Sequence, residues 1–263
     1  MEFIFSRIKH FMILIMIIVK ESLQAIGNYY KSSLPLLFIC FFFFITSCDD
    51  KEELEVPVEV SSMTDIDGNV YKTVKIGNQW WMAENLNVTT YRNGIPMSSL
   101  IDDLVWNDTI AGYCTYNGGY GKLYNGYAVV DTNNIAPAGW HIPTDLEWKK
   151  LETYLGMSGG AADKTGWRGT SEGDKLKAQG IDKWYRYGEV WGTDSYQFRA
   201  LGGSCRIYNG IFGNPGINYT GFWWTSSANA NDLFFRYLDY KKSGIYRGYD
   251  TMKMGCSIRC VKD

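Results

Sequence analysis

Four cysteines, Cys114, Cys205, Cys256 and Cys260, are the side chains best suited to covalent chemistry in this 263-residue chain. An even set of this kind forms disulfides when a chain is exported to an oxidising compartment. Cys256 and Cys260 lie four residues apart in a segment that reads as a strand. Their Cα atoms then stand about 13 Å apart, too far for one bridge. Two connectivities survive. We expect Cys114–Cys260 with Cys205–Cys256, while Cys114–Cys256 with Cys205–Cys260 meets the same test. Zinc is not expected, because there is no C-x-x-C pair and His141 is the one histidine after His10. His141 sits between Trp140 and Ile142 just ahead of a predicted helix, where a structural role fits better than a catalytic one. Glycosidase chemistry needs only two carboxylates. Glu84, Asp145 and Glu147 have simpler uses as turn or cap residues, so no catalytic residue, metal or cofactor is assigned.

Binding is the chemistry that the composition favours. The chain carries 19 Tyr, 10 Trp and 13 Phe. Tyr and Trp join an apolar ring to a polar handle, which suits both a core and a ligand surface. Tyr208, Phe212 and Tyr219 approach the segment Gly221-Phe222-Trp223-Trp224 and are, with Trp223 and Trp224, the candidate ligand contacts. Alternation along a strand would bury at least one of the two tryptophans. The charge is close to balanced, with 26 Lys+Arg against 28 Asp+Glu, and no basic cluster points to nucleic acid.

The elements that must hold these residues are short. Val70 to Ile76 alternates as a strand, Gly77-Asn78 is a two-residue hairpin turn, and Gln79-Trp80-Trp81-Met82 returns. Asp65, Asp67 and Gly68 hint at a calcium loop, but Ile76 occupies the twelfth position where an EF-hand needs Glu, so a turn is expected. Tyr113 to Asn117 and Lys122 to Val130 read as extended segments. Thr144 and Glu147 form a capping box, and Trp148, Leu151 and Leu155 follow at helical spacing up to Gly156. A shorter helix is predicted from Asp174 to Gln179. Phe198 to Leu201, Gly221 to Ser227, Leu233 to Leu238 and Cys256 to Val261 read as strands.

The N-terminal region has a separate logic. Leu34 to Ile45 is about a dozen apolar residues, too short to span a bilayer but right for a signal peptide, with Lys31 ahead of it. Ile45-Thr46-Ser47-Cys48 resembles the lipobox of bacterial lipoproteins, which implies that Cys48 is acylated and becomes the first mature residue. A second apolar run, Phe11 to Val19, leaves two readings, a true start downstream of Met1 near Gly27, which we favour, or a long n-region. Asp49-Asp50-Lys51-Glu52-Glu53 resembles the export signal of Bacteroidetes lipoproteins, implying an outer-membrane anchor and cell-surface exposure. We expect a signal region over 1–47, an acidic tether over 48–62 and one domain over 63–263.

That domain resembles a known family. Asp65-Ile66-Asp67-Gly68-Asn69-Val70-Tyr71-Lys72, Trp81-Met82-Ala83-Glu84-Asn85-Leu86, Gly121-Lys122-Leu123-Tyr124-Asn125, Gly139-Trp140-His141-Ile142-Pro143-Thr144, Trp223-Trp224-Thr225-Ser226-Ser227 and Ser257-Ile258-Arg259-Cys260-Val261 follow in order the motifs of the Fibrobacter succinogenes major paralogous domain. Gly126 departs from it, because the family usually has tryptophan after Tyr-Asn. More distantly, the order of Pro-Thr, a Glu-Trp helix, Gly-Gly-Ser, Trp-Trp and a final arginine strand resembles the C-type-lectin-like and formylglycine-generating-enzyme superfamily. That resemblance implies an α+β domain with a twisted antiparallel sheet, two helices and long loops. Lectin calcium binding is not implied: Trp106-Asn107-Asp108 comes before the first predicted helix and has no Glu-Pro-Asn or Gln-Pro-Asp partner. The reading is a surface-anchored, non-catalytic module for a glycan or protein ligand. The alternatives are an exported hydrolase or modifying enzyme, or a component of an envelope assembly.

Overall fold

The computed structural model describes residues 58–263 apart from residues 117 and 214. The lipobox, Cys48 and the acidic tether lie outside the described residues. Three sheets form the framework. The first joins β1 (Val60–Thr64), β2 (Val70–Ile76), β3 (Gln79–Met82), β13 (Val261–Lys262) and β7 (Trp140–His141), in that order. The second joins β8 (Gly166–Arg168), β11 (Ile245–Thr251), β10 (Asp232–Asp239) and β9 (Thr220–Asn229). The third joins β12 (Gly255–Cys256), β6 (Leu123–Asn125), β5 (Gly112–Cys114) and β4 (Ser98–Ser99). Among the named strands all pairings are antiparallel except β4 with β5. Among the described residues five short α-helices, α1 (Asp103–Trp106), α2 (Gly126–Val130), α3 (Asp145–Tyr154), α4 (Gly159–Ala162) and α5 (Glu172–Leu176), replace the two that were expected. The α+β class holds, with the single expected sheet divided into three.

Local chemistry explains both the agreements and the differences. The Gly77-Asn78 turn closes β2 on β3 in the expected register, Ile76 opposite Gln79. The Asp65 turn is filled by the protein itself: its carboxylate accepts from the Asp67 and Asn69 amides and from the Tyr71 hydroxyl. The expected strand from Lys122 to Val130 breaks at Asn125. Its buried side chain accepts from the Ala128 amide at 3.0 Å and caps α2. The predicted helix at Asp174 starts earlier and ends at Leu176, where Lys177 leaves it to bridge Ala200. The closing strand is split, with Ser257 to Cys260 lying between β12 and β13.

The capping box of α3 is complete: the Thr144 hydroxyl accepts from the Glu147 amide at 3.2 Å, and the Glu147 carboxylate accepts from the Thr144 amide at 2.8 Å. Thr144→Ala should lower stability by about 1 kcal/mol through loss of that cap. An unchanged urea midpoint would contradict it.

Two large apolar clusters meet at β9. Trp224 belongs to one and Trp223 to the other, and both are 0% exposed. Successive strand residues point to opposite faces, and here both faces are covered. Each indole N–H is satisfied, Trp223 by the Asn85 side chain at 3.0 Å and Trp224 by the Tyr124 carbonyl at 2.9 Å. The expectation that these tryptophans contact ligand is therefore corrected: both are core.

One expected bridge, Cys114–Cys260, is corrected. Cys114, Cys205, Cys256 and Cys260 are all buried free thiols. Cys114 packs with Leu100, Trp106 and Leu123 in a small separate cluster, whereas Cys260 lies in the main core, so folding does not bring that expected pair together.

Candidate ligand groove

The proposed contact residues fall in three places. Phe212 stacks on Tyr116 at 4.1 Å and packs under the Arg206 guanidinium. Tyr219 lies among other tyrosines, 4.3 Å from Tyr185 and 5.0 Å from Tyr240 between ring centres. Tyr208 is 59% exposed and lines a groove of about 560 Å³. Tyr127, Asn107, Asn231, Asp232, Met252 and Lys253 are the other walls that matter here.

Each wall is held by an identifiable local device. Asn107 ends α1, whose Trp106 is buried and donates its indole N–H to the Lys253 carbonyl at 2.7 Å. The Lys253 ammonium donates to the Asn107 side chain at 3.1 Å. Tyr127 stands in the first turn of α2. Tyr208 sits in a turn closed by the Ile207 amide on the Ile211 carbonyl at 2.9 Å. Arg206 anchors that turn from below, donating to the carbonyls of Gly210, Leu100 and Ile101 and to the Asp103 carboxylate. Ala230 and Asn231 form the tight turn between β9 and β10, with Ala230 held at φ 54°. That left-handed conformation costs a non-glycine residue about 1–2 kcal/mol.

The floor depends on one glycine. Gly126 donates its amide to the Met252 carbonyl at 2.7 Å, and a Cβ on Gly126 would stand 2.6 Å from the Met252 Cα. The tryptophan usual in the resembled family does not fit this backbone.

Chemically the groove offers two phenols, two amides, a carboxylate and an ammonium around an apolar floor. Such a set donates to and accepts from hydroxyl groups, while exposed rings cover C–H faces. A second recess, about 280 Å³ beside Asp65 and Arg92, offers less. The Arg92 guanidinium already donates to the carbonyls of Ala136, Pro137 and Trp140, and Asp65 is filled as described. Among the described residues, no three His, Cys, Asp or Glu side chains are placed to hold a metal.

With these geometries in place, comparison with known proteins settles the kinship. The Fibrobacter succinogenes major domain matches residues 74–262. The chain belongs to this family. No curated protein and no solved structure matches it. The family match spans all of the groove walls, from Asn107 to Lys253.

His141 illustrates how this member of the Fibrobacter succinogenes major domain family uses its reactive groups. Its Nδ1 lies 2.7 Å from the Asp263 carboxylate and its Nε2 lies 2.8 Å from the Glu147 carboxylate. Burial lowers the imidazole pKa, but the hydrogen bonds to Asp263 and Glu147 outweigh it and the net shift is upward from 6.5. Burial raises the Glu147 pKa, but hydrogen bonds from Thr144 and His141 bring it below 4.5. The His141 contribution is therefore complete below pH 6.5 and lost as pH rises through the raised folded value. The Glu147 contribution is complete above pH 4.5 and lost as pH falls. The melting temperature should fall on the alkaline side of pH 6.5, and His141→Gln should flatten that limb. Parallel pH profiles for both proteins would refute the ion-paired histidine.

One serine-hydrolase spacing, Gly169-Thr170-Ser171-Glu172-Gly173, runs from the loop after β8 into the first turn of α5. The Glu172 carboxylate there accepts from the Thr170 and Ser171 amides, and both His141 nitrogens face carboxylates. Among the described residues, His141 is thus engaged elsewhere and is not offered to Ser171 as a base.

Proposed function

We propose that this domain is a non-catalytic binding module that takes a glycan in the groove beneath Tyr208. The observation that carries the reading is the exposed Tyr208 ring beside Tyr127, with Asn107, Asn231, Asp232 and Lys253 around the same open space. A groove of this volume suits a small ligand or a short stretch of polymer. The tilt toward binding over catalysis rests on the engagement of His141 by two carboxylates, one of them fixed by the capping box of α3. The proposal includes the lipid anchor at Cys48 and display on the outer membrane, which follow from the lipobox resemblance and the acidic tether. A C-type-lectin-like arrangement belongs to the same reading, supported by the largely antiparallel strands and the long loops between α5 and β9.

A glycan array probed with purified protein tests it. Binding to a defined set of glycans is expected, and Tyr208→Ala should weaken it at least tenfold without altering circular dichroism. Full binding by Tyr208→Ala would clear the groove of the role. Release of any arrayed sugar would overturn the non-catalytic reading.

A further inference from the structure

We infer that Cys205 and Cys256 close a cross-strand disulfide in the oxidised protein, and that this bond fastens the Tyr208 turn to the strand segment forming the facing wall of the groove. The backbone places the two thiols. Arg206 and Gly255 exchange both hydrogen bonds, N–H to O at 2.9 and 2.7 Å, as an antiparallel pair. The next pair outward is Cys205 opposite Cys256. It is a non-hydrogen-bonded pair, for which Cα atoms stand about 4.5 Å apart with side chains on the same face. That separation falls within the range disulfides use, about 4.4–6.8 Å. Both side chains belong to the main core cluster, while Arg206 turns the other way, against Trp106. Cys114 and Cys260 have no such partner position: one lies in the small cluster and the other beyond β12.

The chemistry needs an external disulfide, such as oxidised glutathione or an envelope thiol oxidoreductase. The Cys205 thiolate attacks one sulfur of that disulfide and expels its other sulfur as a thiolate. The Cys256 thiolate then attacks the Cys205 sulfur and expels the second. The Cys205–Cys256 bond forms, the partner's S–S bond breaks, and the two cysteine protons pass to the two departing thiolates. Two electrons move to the partner. Burial pushes the Cys205 pKa to about 12 and that of Cys256 well above its usual range, so the folded thiols are poor nucleophiles. The exchange belongs to folding, before the Tyr208 turn closes over the pair. It places the walls bearing Tyr208 and Thr251 to Lys253 on one covalent ring, whatever ligand the groove takes.

The test refolds the purified full chain in oxidised and reduced glutathione, then maps alkylated peptides by mass spectrometry without reduction. A single linked pair, Cys205 with Cys256, is expected, with Cys114 and Cys260 alkylated. The oxidised form should melt about 5–15 °C above the reduced form. Hydrogen exchange over residues 205–212 should slow on oxidation, and the Cys205→Ala/Cys256→Ala double variant should show no response to oxidant. Alkylation of all four thiols, or a bridge between any other two, would overturn the inference. Equal exchange in the two redox forms would overturn the fastening of the turn. Should the double variant fail to fold, the wild-type peptide map and exchange decide the matter alone.

Discussion

Glu152→Ala should destabilise the domain by about 3–5 kcal/mol, enough to remove much of the stability of an ordinary domain. Glu152 is 0% exposed and faces two arginines. Arg168 binds its carboxylate through two hydrogen bonds of 2.7 and 2.9 Å, and Arg236 Nε adds one of 2.5 Å. Arg236 reaches on to Asp145, which also receives two bonds of 2.8 Å from Arg247. Burial pushes the Asp145 carboxyl upward, but Arg247 and Arg236 hold it well below the usual carboxylate range. The network ties α3 to β8, β10 and β11. Removing Glu152 leaves Arg168 without its carboxylate and Arg236 with Asp145 alone, all out of water. Breaking such a pair costs far more than never having built it. A Glu152→Leu/Arg168→Met/Arg236→Met variant should therefore recover most of the loss. Equilibrium urea unfolding measures both. A Glu152→Ala protein within 1 kcal/mol of wild type would sink the argument.

Trp148→Ala is the second large effect, also about 3–5 kcal/mol. Trp148 is on the buried face of α3, with ring centres 5.0 Å from Trp81 and 5.9 Å from Phe198. Trp81 and Phe198 touch each other at 5.8 Å, so three rings close on one another. The Arg236 guanidinium lies 5.8 Å over the Trp148 ring. Alanine leaves a cavity that rigid aromatic neighbours do not fill, and a melting temperature roughly 6–20 °C lower is expected. Trp148→Phe should recover part of the loss. A Trp148→Ala protein with unchanged melting temperature would contradict the core placement.

The legible parts of the fold were those set by neighbours in sequence. Gly77-Asn78 declares a hairpin because a two-residue turn has few solutions, and Thr144 with Glu147 declares a helix start because both halves of the cap lie within one turn. The buried arginines were not legible. Arg168, Arg206, Arg236, Arg247 and Arg259 look like surface residues, and only partners far along the chain allow them inside. Arg259 donates to the Asn85 side chain and to the Phe198 and Arg199 carbonyls, a set no local pattern encodes. Trp223 and Trp224 misled for a related reason. A strand covered on both faces has no polar side, so alternation does not say which residue is free. The groove escaped because each wall is an ordinary turn or cap residue. Tyr208 stood out in sequence as an aromatic on the approach to Gly221-Phe222-Trp223-Trp224, but Asn231 and Lys253 join it only when α1, β10 and β11 converge.

The contact between Gly126 and Met252 divides the groove into two inheritances. Its depth is written in main-chain atoms, where a single added carbon at Gly126 collides with the Met252 Cα at 2.6 Å. Its rim is written in side chains on separate turns, Tyr208, Asn231 and Lys253, none of which is buried. A substitution at Gly126 must therefore shift the backbone that carries Met252, whereas one at Tyr208, Asn231 or Lys253 changes only the surface that the groove presents.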